Sequence, residues 1–290
     1  LAFKHKQTRW LFISLAILML GFCITTYYEN TMCIGYASDY LAAGKPLSEA
    51  RLLVTDEVNR ALFFFPIGSA LAQLFPGFIA DNGGNLICLD LNTLQVVWAQ
   101  DVLDDTNCTP MLELENGHPY LYISTSFHYG WRGYNTAEIP IWKIDAETGE
   151  IIWKRSYDCY TVQDVSGGVQ GSPAMGQHEL SDLVFFPVSR YPSAAAGWLV
   201  ALNKRTGEQV WNVETQIYSW SSPTLVYNAD GKGYVIYCTS GGYMYLLDGL
   251  TGEMLDFMDL GSNVEASPAV FNNTIVVGTR ASGIWGVTMK

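Results

Sequence analysis

Four segments of this 290-residue chain repeat one phrase. An apolar run leads to an acid or amide, a short turn follows, and a closing residue stands eight positions after the acid or amide. The copies run from Asp90 to Trp98, from Asp145 to Trp153, from Asn203 to Trp211 and from Asp248 to Asp256. Self-similarity at this spacing is the mark of a repeat architecture, in which one supersecondary unit is stacked many times. The unit reads as a β-hairpin. Runs such as Tyr243-Met244-Tyr245-Leu246-Leu247 have the aromatic and branched composition of buried strands. The Asp side chain can accept from backbone N–H groups ahead of it, and the glycine of Thr-Gly tolerates positive φ.

A second marker precedes the last three phrases and recurs once after the fourth. Thr109-Pro110, Ser172-Pro173, Ser222-Pro223 and Ser267-Pro268 each open a short apolar strand, and the prolines lie 63, 50 and 45 residues apart. Proline at a strand start sacrifices no ladder hydrogen bond. A period of that length holds about four short strands, the size of one propeller blade. No competing helical pattern is read between residues 79 and 290. Gly-rich pieces such as Asp81-Asn82-Gly83-Gly84-Asn85 and Ser240-Gly241-Gly242 connect strands and read as turns, as does Asn228–Gly233.

Asp-x-x-Thr-Gly-x-x-x-Trp after an apolar strand, with Ser-Pro upstream, resembles the PQQ-like (quinoprotein-type) β-propeller repeat. The resemblance covers residues 79–290. It departs from the pattern at the first phrase, which lacks the glycine, and at Asp256, where Trp is expected. It implies an all-β propeller of four to five visible blades, either closed or open as a small ring or forming the C-terminal part of a larger one. It also implies that each Trp packs between neighbouring blades. The family spans quinoprotein alcohol dehydrogenases, the propeller lipoprotein of outer-membrane assembly, and anchored or secreted bacterial proteins without catalysis. Its dehydrogenases carry PQQ, vicinal cysteines, calcium and an Asp base. This chain has no adjacent cysteine pair, so the expectation is no PQQ, no calcium and no enzymatic activity.

The first 30 residues read differently. Lys4, Lys6 and Arg9 precede a run from Trp10 to Tyr28 without charge, as in a signal peptide or signal anchor. No small-x-small cleavage site follows, which favours an uncleaved single-pass anchor with the propeller outside the cytoplasm. Leu20-Gly21-Phe22-Cys23 only loosely resembles a lipoprotein box, because Phe22 is bulky. Residues 31–78 form a linker, with an amphipathic helix expected at 46–60 and an uncharged, proline-interrupted lead-in to the first blade.

The chain carries a net charge of −12 and no basic stripe, which excludes nucleic acid as a partner. Six cysteines show no Cys-x-x-Cys; Cys108 and Cys159 would follow outer strands, as a disulfide or as buried thiols. The four histidines are too scattered for a metal site or a triad, with His118 expected in a turn and His178 in a loop. Because a repeated turn is scaffold, function is sought in what does not repeat. Two positions before each Ser/Thr-Pro stand Asn107, Gln170, Trp220 and Glu265, which would ring one mouth of the channel if the strands after the prolines are innermost. The longest insertion, residues 126–135, places His128, Trp131 and Arg132 on one loop. The expected partner is a protein or a glycan held at the propeller face, with the membrane reached through the N-terminal helix.

Overall fold

The computed structural model describes residues 76–289 apart from 92, 129–131, 133, 134, 163, 164 and 282. The N-terminal anchor and the helix expected at 46–60 lie outside the described residues. Among the described residues no helix is long and apolar enough to cross a membrane. The chain divides into two compact units, residues 1–77 with 89–97, and residues 78–88 with 98–290. The Asp90 turn, with Gly77, Leu89, Val96 and Val97, falls in the first unit, and the four sheets from Met111 onward lie in the second.

Among the described residues, twenty short strands form five antiparallel sheets. The first sheet is β1 (Gly77–Ala80), β2 (Asn85–Leu89) and β3 (Val96–Asp101). Next come β4 (Met111–Glu115), β5 (His118–Ser124), β6 (Ser126–Phe127), β7 (Thr136–Asp145) and β8 (Ile151–Tyr160). Of these, β4-β5-β7-β8 make the second sheet, while β6 crosses to the third by pairing with β9 (Gly167–Val169). The third sheet continues with β10 (Ala174–Met175), β11 (Leu183–Ser189), β12 (Gly197–Asn203) and β13 (Gln209–Thr215). The fourth is β14 (Thr224–Tyr227), β15 (Gly233–Cys238), β16 (Tyr243–Asp248) and β17 (Met254–Asp259). The last is β18 (Ala269–Phe271), β19 (Thr274–Gly278) and β20 (Ile284–Thr288). We number these sheets as blades 1 to 5. His118 opens β5 and does not sit in a turn. The turn falls one step earlier, where Asn116 and Gly117 both take positive φ, the backbone that a two-residue hairpin turn demands. Cys159 lies inside β8 and Cys108 in the loop after β3; both are buried free thiols.

The apolar core lies between blades. Alternate residues of β11 serve different neighbours: Val184, Phe186 and Val188 join a cluster with blade 2, while Leu183 and Phe185 join one with blade 4. In β15, Val235 and Tyr237 face blade 3, and Ile236 and Cys238 face blade 5. Side chains alternate across a strand, so burial on both faces requires an unbroken apolar run. That explains Leu183-Val184-Phe185-Phe186-Pro187-Val188, which shows no polar alternation.

The repeated turn is built the same way four times. The acid or amide Oδ1 accepts from the N–H of Thr148, Thr206 and Thr251 at 2.9–3.1 Å, and Asp90 does the same for Thr93 at 3.1 Å. The fifth residue of each turn closes it by donating its N–H to the carbonyl of the acid or amide. That residue is Gly149, Gly207 or Gly252 at φ of 71–78°, and Leu94 at 58° in the first copy. Neighbouring blades explain the difference. Trp98 lies against Gly149, Trp153 against Gly207 and Trp211 against Gly252, each so close that a Cβ would come within 2.7–2.8 Å of the indole. Each indole N–H then donates to the carbonyl just after the next blade's acid or amide: Ala146 at 3.0 Å, Lys204 at 2.8 Å and Gly249 at 3.1 Å. No tryptophan-bearing strand precedes Asp90 among the described residues, so Leu94 has no such contact to respect.

Candidate functional site

The proline markers prove to be joints between blades. The N–H of Thr109 donates to Ser172 Oγ at 2.9 Å, Ser172 N–H to Ser222 Oγ at 2.9 Å, and Ser222 N–H to Ser267 Oγ at 3.1 Å. This ladder links four successive blades just ahead of β4, β10, β14 and β18. The residues two positions upstream of it, Asn107, Gln170, Trp220 and Glu265, therefore stand at equivalent places along it.

Four of the seven candidate residues meet around Asp104 and Asp105. Asn107 Nδ2 donates to Gln170 Oε1 at 2.9 Å and to Asp105 Oδ2 at 2.8 Å. Asp104, whose side chain is fully buried, pairs with His128 Nδ1 at 2.8 Å and with Arg132 Nε at 3.0 Å. His128 Nε2 also approaches Asp105 Oδ2, at 3.6 Å. Arg132 further donates to the carbonyls of Ser126 at 3.1 Å and Glu138 at 3.1 Å. His128 and Arg132 are thus held against the linker between blades 1 and 2. Trp131 lies outside the described residues.

Trp220 and Glu265 belong to a second patch. Glu265 is held by Arg280 Nε at 2.7 Å and by Asn263 Nδ2 at 3.0 Å. Trp220 sits beside Tyr218 with ring centroids 5.6 Å apart, and Arg190 lies 4.1 Å above the Tyr218 ring. The backbone ties these segments together: Ser240 N–H donates to Tyr218 O at 2.9 Å, and Val264 N–H to Thr239 O at 3.3 Å. Trp220 Nε1, Thr239 Oγ1, Ser240 Oγ and Asn263 Oδ1 are buried without a hydrogen-bond partner among the described residues.

Sequence reading missed Asp104 and Asp105, since two acids after a strand look like a solvated turn. Their signal is spacing: they precede Thr109 by four and five positions, where the linkers to blades 4 and 5 place Tyr218 with Ile217 and Asn263 with Ser262. Burial raises the Asp105 carboxyl above the ordinary carboxylate range, against the opposing pull of His128 and of the hydrogen bond from Asn107. A carboxyl with a raised folded value binds more protons folded than unfolded, so its contribution falls as pH rises from the unfolded value through the folded one. Relative to Asp105→Asn, the parent chain is expected to lose stability across that window and to run parallel above it. Urea midpoints of both chains at stepped pH values from 3 to 7 check this; parallel curves throughout the window would refute it.

Among the described residues the cysteines form no vicinal pair: Cys88, Cys108, Cys159 and Cys238 are buried and none is adjacent to another in sequence. Burial raises the thiols of Cys108 to about 11 and of Cys238 to about 12, and pushes that of Cys159 up as well. The Asp104 carboxylate is already paired with Arg132 and hydrogen-bonded to His128.

A family model described as outer membrane protein assembly factor BamB matches residues 77–215 and 195–290. The outer membrane protein assembly factor BamB of Kangiella koreensis is 23% identical over 200 residues, covering 68% of this chain and 44% of that protein. The chain therefore spans less than half the length of this relative. The crystal structure of BamB from Moraxella catarrhalis matches with a TM-score of 0.52 at 15% identity, covering 73% of this chain and 58% of that one. Quinohemoprotein alcohol dehydrogenase ADHIIG from Pseudomonas putida HK5 reaches a TM-score of 0.46 at 20% identity, over 64% of this chain and 33% of that one.

Proposed function

The chain belongs to the PQQ-like β-propeller family described by outer membrane protein assembly factor BamB, and we propose that it is a membrane-anchored, extracytoplasmic binding or assembly scaffold without catalysis. The observation that carries this reading is the state of the charged groups along the serine ladder. Asp104 is engaged by His128 and Arg132, and Glu265 by Arg280. Among the described residues such a face presents a fixed pattern of hydrogen-bonding edges. Rigid blades carrying variable loops suit recognition. The names of the relatives support a protein partner and a place at the outer membrane, with the N-terminal segment as the tether.

The test compares two measurements on the full chain. Affinity capture from solubilised membranes is expected to retain a membrane-protein partner that Trp220→Ala or Arg132→Ala releases by at least about tenfold, the loss expected of a central anchor. Dye reduction supplied with PQQ, calcium and an alcohol is expected to show no turnover. PQQ-dependent turnover, or capture indifferent to both substitutions, would overturn the proposal.

A second reading, a glycan-binding ectodomain, is favoured by one feature. The Tyr218–Trp220 ring pair lies among segments carrying the buried, unpartnered Thr239, Ser240 and Asn263 oxygens. Aromatic faces with polar groups beside them suit sugar rings. Binding on a glycan array that Trp220→Ala abolishes, with no protein captured, would select it.

A further inference from the structure

The slots on the two sides of blade 4 are built to one plan, and only one of them holds its tryptophan. Between blades 3 and 4, Phe185, Ala201, Val235 and Leu247 enclose the Trp211 indole, whose N–H reaches Gly249 O at 3.1 Å. The strand registers identify the matching positions one blade on. Phe185 pairs with Ala201 as Ile236 pairs with Leu246. Gly249 N–H donates to Gly233 O as Met289 N–H donates to Asn273 O, so Val235, Leu247 and Gly249 correspond to Ile275, Val287 and Met289. At the Trp211 position stands Asp256, opposite Leu246. These six matching residues, Ile236, Leu246, Asp256, Ile275, Val287 and Met289, line a cavity of about 270 Å³. That is just below the ~300–1,000 Å³ typical of small-molecule pockets, and is the scale of a side chain.

We propose that this slot between blades 4 and 5 is a docking site for a tryptophan, presented by an extended, basic segment of a partner protein. The shape follows from the filled slots, which define an indole lying between blades. By register the Met289 carbonyl matches Gly249 O, which accepts the indole N–H in the filled slot. Charge follows from Asp256, which adds a carboxylate where the filled slots have none, and from the chain's net charge of −12. The extended form follows from β17, the terminal strand of its sheet, whose six residues are all exposed. An edge strand can pair with an incoming strand while alternate side chains enter pockets. Met254 and Phe257, 54% and 59% exposed, would be covered by such a strand. This deepens the scaffold reading by naming a surface and a partner chemistry, but it uses none of the residues along the serine ladder.

The test uses the full chain and two probes, acetyl-Gly-Lys-Trp-Lys-Gly-amide and its Trp-to-Ala counterpart, followed through the methyl resonances of Ile275, Met258 and Met289. The Trp peptide is expected to shift these methyls and to bind at least about tenfold tighter than the Ala peptide, the share of an aromatic anchor in a pocket. Asp256→Trp restores the repeat pattern, fills the slot from within, and is expected to abolish binding while raising the melting temperature. Asp256→Phe repeats the blocking test independently. Asp256→Asn is expected to weaken the peptide by up to about fivefold at low salt, the range of an exposed ion pair. Equal binding of both peptides, or binding indifferent to Asp256→Trp and Asp256→Phe, would refute the proposal. A dimer of the parent chain in sedimentation that Asp256→Trp dissolves would also overturn it, by assigning the slot to a second copy. Trp220→Ala is expected to leave peptide binding unchanged, so failure here is distinct from failure of the scaffold reading.

Discussion

Replacing Trp153 by Ala is expected to lower the unfolding free energy by about 3–5 kcal/mol, the usual cost of truncating a large buried aromatic. Trp153 is only 9% exposed and joins the cluster shared by blades 2 and 3. Its loss also strips a donor from Lys204 O, which it contacts at 2.8 Å. Gly207→Ala attacks the same joint from the other side. Gly207 sits at φ 71°, and an added Cβ would fall 2.7 Å from the Trp153 ring. The left-handed backbone alone costs about 1–2 kcal/mol for a residue with a Cβ. The clash adds about 1–3 kcal/mol of overpacking. In the Trp153→Ala background that clash has nothing to strike, so Gly207→Ala should then cost only the backbone part. A double-mutant cycle by urea denaturation is therefore expected to show a coupling of about 1–3 kcal/mol. Strict additivity would mean that the glycine is retained for φ alone, and the account of the repeat given above would be wrong.

That coupling shows why the fold was legible from four copies of a phrase. The turn acid, the threonine and the glycine act within about ten residues of chain, so their spacing survives in the sequence. The tryptophan acts across blades, but it always meets the same place in the next copy. What was not legible depends on contacts that do not repeat. Asp104 looked like a surface acid because nothing local shows that His128 and Arg132 fold back onto it from 24 and 28 residues away. The third blade is irregular for a related reason. β9 takes the edge of β11 beside the two-residue β10, and recruits β6 from the preceding repeat. Gly167 and Gly168 permit that close approach, since a Cβ on either would meet the backbone of Tyr160 or Thr125. The candidate residues were chosen for being unlike one another. Such a rule can point to Asn107 and Gln170 but cannot say that they touch.

Glu113→Gln is expected to cost about 3–5 kcal/mol, the penalty for stranding a buried charge. Lys204 follows a turn amide, and by sequence it resembles its exposed neighbour Arg205. Its side chain is instead 4% exposed, with Nζ 2.6 Å from Glu113 Oε1 and 2.9 Å from Gly176 O. Lys143 is equally buried and binds Glu115 Oε2 at 2.6 Å and Lys204 O at 3.2 Å. Tyr122 donates to Glu115, and burial with that bond pushes its phenol well above the ordinary range. Lys204 O thus collects the Trp153 indole and the Lys143 ammonium. Blades 2 and 3 are tied at the Trp153 slot by ions as well as by an aromatic. Lys204→Met should cost less than Glu113→Gln, because the carboxylate it leaves behind is 26% exposed and can be hydrated. The pair Lys204→Met with Glu113→Leu should recover most of the loss, since apolar replacement of a buried ion pair is often neutral. Glu113 Oε2 is buried without a hydrogen-bond partner among the described residues, so the native pair is not fully compensated to begin with. Urea midpoints at 0.05 M and 0.5 M salt would check both the ranking and its physical cause. A buried pair is little screened, so the Glu113→Gln penalty should be nearly independent of salt. A penalty that halves at high salt would place these charges in solvent and remove the ionic joint from the account.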